Sequence, residues 1–324
     1  MSGADRTAEQ AEFFANRLKK RHKHLWRYAG RIGTNAFRIY HRDIPELPFV
    51  VDWYNNHLHV AEYERPHDRS PTEHEAWLRT MMDTASRALT VPRERVFVKR
   101  RDRQRGSDQY EVVARRGYTL EIVERELIFR VNLSDYVDTG LFLDHRDLRL
   151  YVAKRAYSKR VLNLFAYTGS FTVYACAAGA KSSLTIDLST TYTDWTRDNL
   201  RLNGLLAPQH EIRKADVLQE VKGLIEERRR FDIIVLDPPV FSNSKNMNGT
   251  WDLQRDHAWL IRSCVKLLAP GGELVFSTHK KKFQFQRNEL GPVEIRRLTK
   301  ATMPEDFRGT NIHSAWSIRT GARS

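Results

Sequence analysis

Residues 231–245 read FDIIVLDPPVFSNSK. The first six positions are apolar almost without interruption and do not alternate, the pattern of a strand covered on both faces in a parallel sheet. The run stops at Asp237, two prolines follow, and after Val240 comes Phe241 with small polar residues behind it. The prolines set a rigid turn with no N–H groups to satisfy. A carboxylate and an aromatic ring are thereby carried at the end of a buried strand.

Reading outward from this stretch, the same rhythm recurs. VLNLF (161–165) is an apolar strand, followed by the glycine-containing loop AYTGS and a small-residue helix, FTVYACAAG. SLTID (183–187) is a second strand, and TYTDWTRDNLRLNG a helix closed by Asn203-Gly204. EIRKAD (211–216) is the third and FDIIVLD the fourth. A helix carrying Trp259, Val265 and Leu268 then leads through APGG into ELVFST (273–278), the fifth. Strands alternating with helices at this spacing predict an α/β fold with a Rossmann-like, doubly wound, mostly parallel sheet.

The preceding residues differ. Residues 1–34 read as one basic amphipathic helix anchored by Phe13, Phe14, Leu18, Leu25 and Trp26, with Gly30 and Gly33 at its end. Residues 35–130 predict a small, strand-rich α+β domain. FRIY (37–40), FVVDWY (49–54), VFVKR (96–100), TLEIVE (119–124) and LIFRVN (127–132) are its strands, and Asn55-Asn56 is a hairpin turn. Ser70, Pro71 and Glu73 form a capping box that starts a helix through Trp77, Met81 and Leu89. Residues 131–324 are assigned to the doubly wound domain.

The chain has 324 residues, 41% of them hydrophobic and 29% charged, as expected of a folded protein. The charged start lacks the apolar stretch of a signal peptide, so the cytoplasm is the expected compartment. Cys176 and Cys264 are the two cysteines, without metal-ligand spacing, and no metal is expected. The formal net charge is +14, and basic residues cluster at 17–31 and 99–105. Such blocks suit a phosphate backbone, with Arg17, Lys19, Lys20, Arg21, Lys23, Lys99, Arg100, Arg101, Arg103 and Arg105 as candidate contacts.

In an open α/β sheet, ligands bind outside the carboxyl ends of the strands. Those ends carry AYTGSF, Asp187, Asp216 and Asp237-Pro238-Pro239. Asp187 lies about 20 residues beyond the glycine loop, where a ribose-binding acid belongs. The loop has a single glycine, Gly169, so the close approach needed for a pyrophosphate is absent. A phosphate-free nucleoside fits, and S-adenosylmethionine is such a ligand.

NLFAYTGSFT, Asp187, ADVL (215–218) and DPPVFSNSK resemble a class I S-adenosylmethionine-dependent methyltransferase. FANRLKKR (14–21), RQRGSDQY (103–110), NLSDYVDTGLFLDHR (132–146) and QRDH (254–257) narrow the resemblance to the K half of the bifunctional bacterial 23S rRNA methyltransferases. The likeness runs from about residue 13 to residue 320. It implies a seven-stranded sheet, S-adenosylmethionine as cofactor, and N7 methylation of a guanine in helix 74 of 23S rRNA, on free rRNA or a large-subunit precursor. The L half, with its N2-guanine activity, has no counterpart here, so a free-standing enzyme, monomer or homodimer, is expected.

The resemblance also implies site residues. Asp144, Arg146, Asn163, Tyr167, Thr168, Gly169, Ser170, Asp187, Asp216 and Asp237 are the expected cofactor contacts, with Arg146 suited to the cofactor carboxylate. Asp237, Pro238 and Phe241 form the expected catalytic floor, Phe241 stacking on an extruded guanine. Asn243, Ser244 and Lys245 are expected at the base or its phosphates. Arg255, Asp256 and His257 suit either substrate contact or an internal ion-pair network. A sister family methylates cytosine C5 with a cysteine after the fifth strand, where this chain has Ser277-Thr278-His279. The remaining readings are an RNA-binding protein without catalysis and a methyltransferase acting on protein or a small molecule.

Overall fold

The computed structural model describes residues 3–101, 117–243 and 250–320. The chain divides into two compact units, Met1–Glu126 with Val131–Thr139 and Leu127–Arg130 with Gly140–Ser324. Residues 131–139, assigned from sequence to the doubly wound part, thus join the first unit.

The first unit begins with α1 (Gly3–Ile32), then β1 (Ala36–His41), β2 (Phe49–Tyr54), β3 (Leu58–Tyr63), α2 (Pro71–Leu89), β4 (Val96–Arg101) and β5 (Thr119–Glu124). Strands β1 to β4 form a sheet in sequence order, with β3 and β4 parallel. Asn55 and Asn56 both adopt positive φ, 43° and 63°, and the flanking Tyr54 and His57 exchange backbone hydrogen bonds of 2.9 Å. This is the left-handed two-residue turn that asparagine tolerates and that matches strand twist. Ser70 caps α2, and Glu73 closes the reciprocal capping box.

Helix α1 does not stand apart. Phe14, Leu18, Leu25 and Tyr28 lie on one helical stripe and share a core with Phe37, Ile39, Phe49, Trp77 and Met81. Each such apolar side chain contributes roughly 1.5–3 kcal/mol on burial. Phe13 and Trp26, expected as anchors, are 53% and 54% exposed, because their positions fall off that stripe.

The remaining elements are β6 (Leu127–Asn132), α3 (Arg146–Ala156), β7 (Arg160–Leu164), α4 (Ser170–Ala177), β8 (Ser182–Asp187), α5 (Thr190–Leu202), β9 (His210–Lys214), α6 (Val217–Glu226), β10 (Phe231–Leu236), β11 (Phe241–Ser242), β12 (Trp251–Asp252), α7 (Leu253–Lys266), β13 (Leu268–Thr278), β14 (Val293–Arg297) and β15 (Ser314–Thr320). Leu268 belongs to β13 and not to the preceding helix. The large sheet has the order β14-β15-β13-β10-β7-β8-β9. Strands β13, β10, β7, β8 and β9 run parallel, while β15 is antiparallel to both β13 and β14. Strand order reverses between β7 and β10, so their carboxyl ends flank the crevice where such sheets bind ligands. Among the described residues, no helix is long and apolar enough to cross a membrane.

Candidate active site

The carboxyl end of β7 is tightly coiled. Phe165, Tyr167 and Gly169 have φ of 54°, 53° and 73°, three left-handed residues within five positions. A Cβ on Gly169 would lie 2.4 Å from Thr196 Cγ2, so the turn requires glycine on both conformational and steric grounds. Thr168 is buried; its hydroxyl donates to the Gly140 carbonyl at 2.6 Å, and its own carbonyl accepts from Asn199 Nδ2 at 2.9 Å. Tyr167 packs its ring against Tyr192, centroids 4.6 Å apart, and against Phe142 at 5.3 Å. Ser170 opens α4.

Asp187 ends β8. Its carboxylate accepts the backbone N–H of Tyr167 at 2.8 Å and of Ser189 at 2.9 Å. Burial pushes the carboxyl up to about 6, against the lowering effect of the Ser189, Tyr167 and Leu188 backbone bonds. A desolvated carboxylate held by backbone groups at the end of a strand suits a ligand's hydroxyl pair, which supplies donors without a competing positive charge. Asp187 therefore fits the ribose of S-adenosylmethionine, with the loop beside it.

Asp216 has a local role: it caps α6, accepting from Leu218 N–H at 2.9 Å. Asn163 departs from expectation. It lies inside β7, fully buried, and donates to Thr172 Oγ1 at 3.0 Å, while the Thr172 and Thr185 hydroxyls are 2.7 Å apart. Its side chain is used by the interior, not by a strand-end ligand.

Asp237 follows β10. Ser277 Oγ donates to its Oδ1 at 2.7 Å, and His145 Nδ1 lies 3.6 Å from its Oδ2. Pro238 is buried, and the buried Trp251 indole donates to the Pro239 carbonyl at 2.7 Å, fixing the turn from below. Phe241 pairs with Asp252 in the ribbon of β11 and β12, and the residue is 37% exposed. It is thus partly open to solvent rather than enclosed in the core. Lys245 and Ser244 lie outside the described residues, as do Arg103 and Arg105.

The FLDHR stretch is arranged differently from the expectation. Arg146 is fully buried and donates to the equally buried Asp306 at 3.0 Å. Its guanidinium is engaged inside the unit by this counter-ion, as a buried cation requires. Asp144 is also buried; its Oδ2 lies 2.9 Å from His279 Nε2 and 2.7 Å from His313 Nδ1. Burial alone would raise its carboxyl, but the imidazoles of His279, His145 and His313 hold it well below the usual carboxylate range. Burial likewise lowers His145 to about 3. The histidines at 279 and 313 escaped the sequence reading, because nothing in their local sequence marks them.

Arg255 and Asp256 form a surface ion pair, and the buried His257 has separate backbone partners. Arg255 pairs with Asp256 at 2.6 Å, and His257 joins the Leu253 carbonyl at 2.9 Å and the Gln286 N–H at 3.1 Å. The two cysteines are buried, and desolvation pushes the Cys176 thiol up to about 11 and raises Cys264 further.

In the first unit, the expected phosphate contacts divide. Lys19, Lys20 and Lys23 are exposed on α1. Arg17 pairs with Asp43 at 2.6 Å, and Arg21 Nε reaches the Ile39 carbonyl at 3.4 Å. Lys99 donates to the Ser134 carbonyl, and Arg100 pairs with Glu75 and, at 3.5 Å, with Glu62. These two are spent within the unit. Arg101 ends β4.

A parallel sheet of this order, with a tight loop after one strand and a ribose-type carboxylate after the next, defines the class of S-adenosylmethionine-dependent methyltransferases. A family model described as S-adenosylmethionine-dependent methyltransferase matches residues 36–283. The chain is 47% identical over 306 residues to ribosomal RNA large subunit methyltransferase K of Neisseria meningitidis, covering 94% of this chain and 86% of the relative. It is 44% identical over 313 residues to ribosomal RNA large subunit methyltransferase K/L of Allochromatium vinosum, spanning 95% of this chain but 42% of that longer protein. The fold is similar to that of a putative SAM-dependent methyltransferase from Streptococcus mutans, with TM-score 0.75 at 19% identity, covering 96% and 81% of the two chains. A putative methyltransferase complexed with SAH gives TM-score 0.79 at 20% identity, with 96% and 82% covered. The chain belongs to the S-adenosylmethionine-dependent methyltransferases and, within them, to the family of ribosomal RNA large subunit methyltransferase K.

Proposed function

We propose that the protein methylates N7 of a guanine in 23S rRNA, in the stem of helix 74, without a general base or a covalent enzyme–base intermediate. Large-subunit rRNA as substrate is supported by the relatives' names and by the +14 charge of the chain. An rRNA substrate is met in the cytoplasm, as this reading requires.

The observation that carries the uncatalysed-nucleophile part is the state of the thiols. C5 methylation of a pyrimidine needs a thiolate at C6. Both cysteines here are buried and held neutral, and the end of β13 carries Ser277 and Thr278 with His279 beyond. Guanine N7 already has an in-plane lone pair and no proton to remove, so alignment suffices.

When bound, S-adenosylmethionine supplies an electrophilic methyl group on its sulfonium. Asp187 would hold the ribose hydroxyls, the Tyr167–Ser170 loop the methionine end, and Asp216 the adenine edge with the carboxylate oxygen its capping bond leaves over. Phe241 offers a stacking face for a guanine drawn out of its stem, which a base in a duplex requires. Asp237, oriented by Ser277, supplies an acceptor for the guanine edge and a negative charge near a base that becomes cationic. Lys19, Lys20 and Lys23 contact phosphates, which position the RNA and do not read its sequence.

The test is methyl transfer in vitro from labelled cofactor to 23S rRNA by the double variant Cys176→Ser, Cys264→Ala. Retained activity, with label in 7-methylguanosine, is expected. Loss of transfer in a folded double variant, or label in 5-methylcytidine, contradicts the reading.

A further inference from the structure

Asp144, His145, His279 and His313 come from three distant parts of the chain. The first two lie on the 3-10 turn Leu143–His145 that leads into α3. The other two are brought together by sheet register. Thr278 of β13 pairs with Ser314 of antiparallel β15, so His279 and His313 face each other one position beyond the paired ends. One ligand atom from each of the four residues lies within 4.8 Å of the others, and among the described residues no second group of this kind occurs.

Two details separate this cluster from an ordinary hydrogen-bonded histidine. A single oxygen, Asp144 Oδ2, is approached by two imidazoles, at 2.9 Å from His279 and 2.7 Å from His313. The buried Nε2 atom of His145, whose Nδ1 faces Asp237, has no hydrogen-bond partner. The His145 ring lies 4.8 Å from that of His279 and 4.7 Å from that of His313, centroid to centroid. Buried polar nitrogens without partners are uncommon in a folded core and call for a ligand.

We propose that this cluster binds one divalent transition-metal ion through three imidazole nitrogens and the Asp144 carboxylate. Three nitrogens and one oxygen suit zinc, or cobalt in its place, better than calcium or magnesium, which prefer oxygen. Tetrahedral zinc with bonds of about 2.0–2.1 Å spaces its ligand atoms by about 3.3 Å. The two short contacts at Oδ2 therefore open by a few tenths of an ångström to admit the ion. Four protein ligands leave no open position, so the ion is structural. It ties the turn before α3 to the ends of β13 and β15, and His145 presents its other nitrogen towards Asp237 at 3.6 Å. Carboxylates commonly take that place behind metal-bound histidines.

The full chain is freed of metal with a chelator and titrated with cobalt(II), with zinc(II) followed by calorimetry. One equivalent is expected to bind with the intense visible absorption of tetrahedral cobalt. His279→Ala and His313→Ala should each weaken binding by about 100-fold or more. The pair His67→Ala, His74→Ala in the first unit, one exposed and one half-buried, serves as control and should leave binding unchanged. Absence of a tetrahedral signal, or binding unaffected by the two cluster variants, overturns the proposal. If those variants do not fold, X-ray absorption of the zinc-loaded wild type decides. Three imidazoles with one light oxygen ligand support the site, and any other ligand set contradicts it.

Discussion

Asp144 and Asp187 belong to the same unit, and the protein surrounds them in opposite ways. Asp144 is met by side chains: two imidazoles converge on one of its oxygens, and its carboxyl is held far below the usual range. Asp187 is met by backbone N–H groups, and burial pushes it up to about 6. The first acid is satisfied from within. The second is left in a costly state that a hydroxyl-bearing ligand relieves. The same contrast separates Arg146, fully paired with Asp306, from Phe241, which is partly open to solvent.

The largest expected effect lies on the satisfied side. Arg146→Ala removes the buried counter-ion of Asp306 and should cost about 3–5 kcal/mol of stability, read by urea or thermal unfolding. A variant that melts like the wild type but binds cofactor weakly would return Arg146 to the cofactor and erase the contrast.

On the other side, Asp187→Ala should weaken cofactor binding by about 100-fold, or about 3 kcal/mol, measured by calorimetry. The same carboxylate sets a pH dependence. Hydroxyl donors require its ionised form, so cofactor affinity should fall as pH drops through about 6; a flat profile between pH 7 and 5 would count against the role. Stability runs the other way. The folded carboxyl lies above its unfolded value of 3.8, so its contribution is fully present below about that pH and is lost as pH rises through about 6. Asp187→Asn should lower cofactor affinity, because its amide NH2 replaces one of the two oxygens that accept backbone N–H groups.

Phe241→Ala should lower turnover about tenfold and leave cofactor affinity within about twofold, since stacking of a base contributes about 1–3 kcal/mol. Equal losses in both would show that the ring belongs to the cofactor site. The smallest effect is expected from replacing Lys19, Lys20 and Lys23 by Gln. RNA affinity should decline modestly, and its logarithmic salt slope should shrink by about 0.7–0.9 per lost phosphate contact.

Strands β7, β8 and β10 were legible because each is a short apolar run ended by an acid or a glycine loop, and the polar β9, HEIRK, from its place in the strand–helix alternation. The hairpin at Asn55-Asn56 and the start of α2 were legible from local turn and cap chemistry. Strands β14 and β15 were not read from the residues. VEIRR and SAWSIRT are short and carry several polar residues, and the sheet edge they complete is specified by pairing with β13. For the same reason the pairing of His279 with His313 was hidden, as was that of Arg146 with Asp306, 160 residues apart. Residue type marked FLDHR as special, but the partners that decide its role come from long-range register. The partners of Lys99 and Arg100 were hidden similarly: a basic run looks free until the Ser134 carbonyl, Glu62 and Glu75 are seen to meet it.

The central claim is tested most directly by nucleoside mass spectrometry of 23S rRNA from cells with the gene, without it, and with it restored as Asp187→Ala. The account predicts that 7-methylguanosine disappears on deletion and does not return with the variant. Unchanged 7-methylguanosine, with another methylated nucleoside lost in its place, would contradict it.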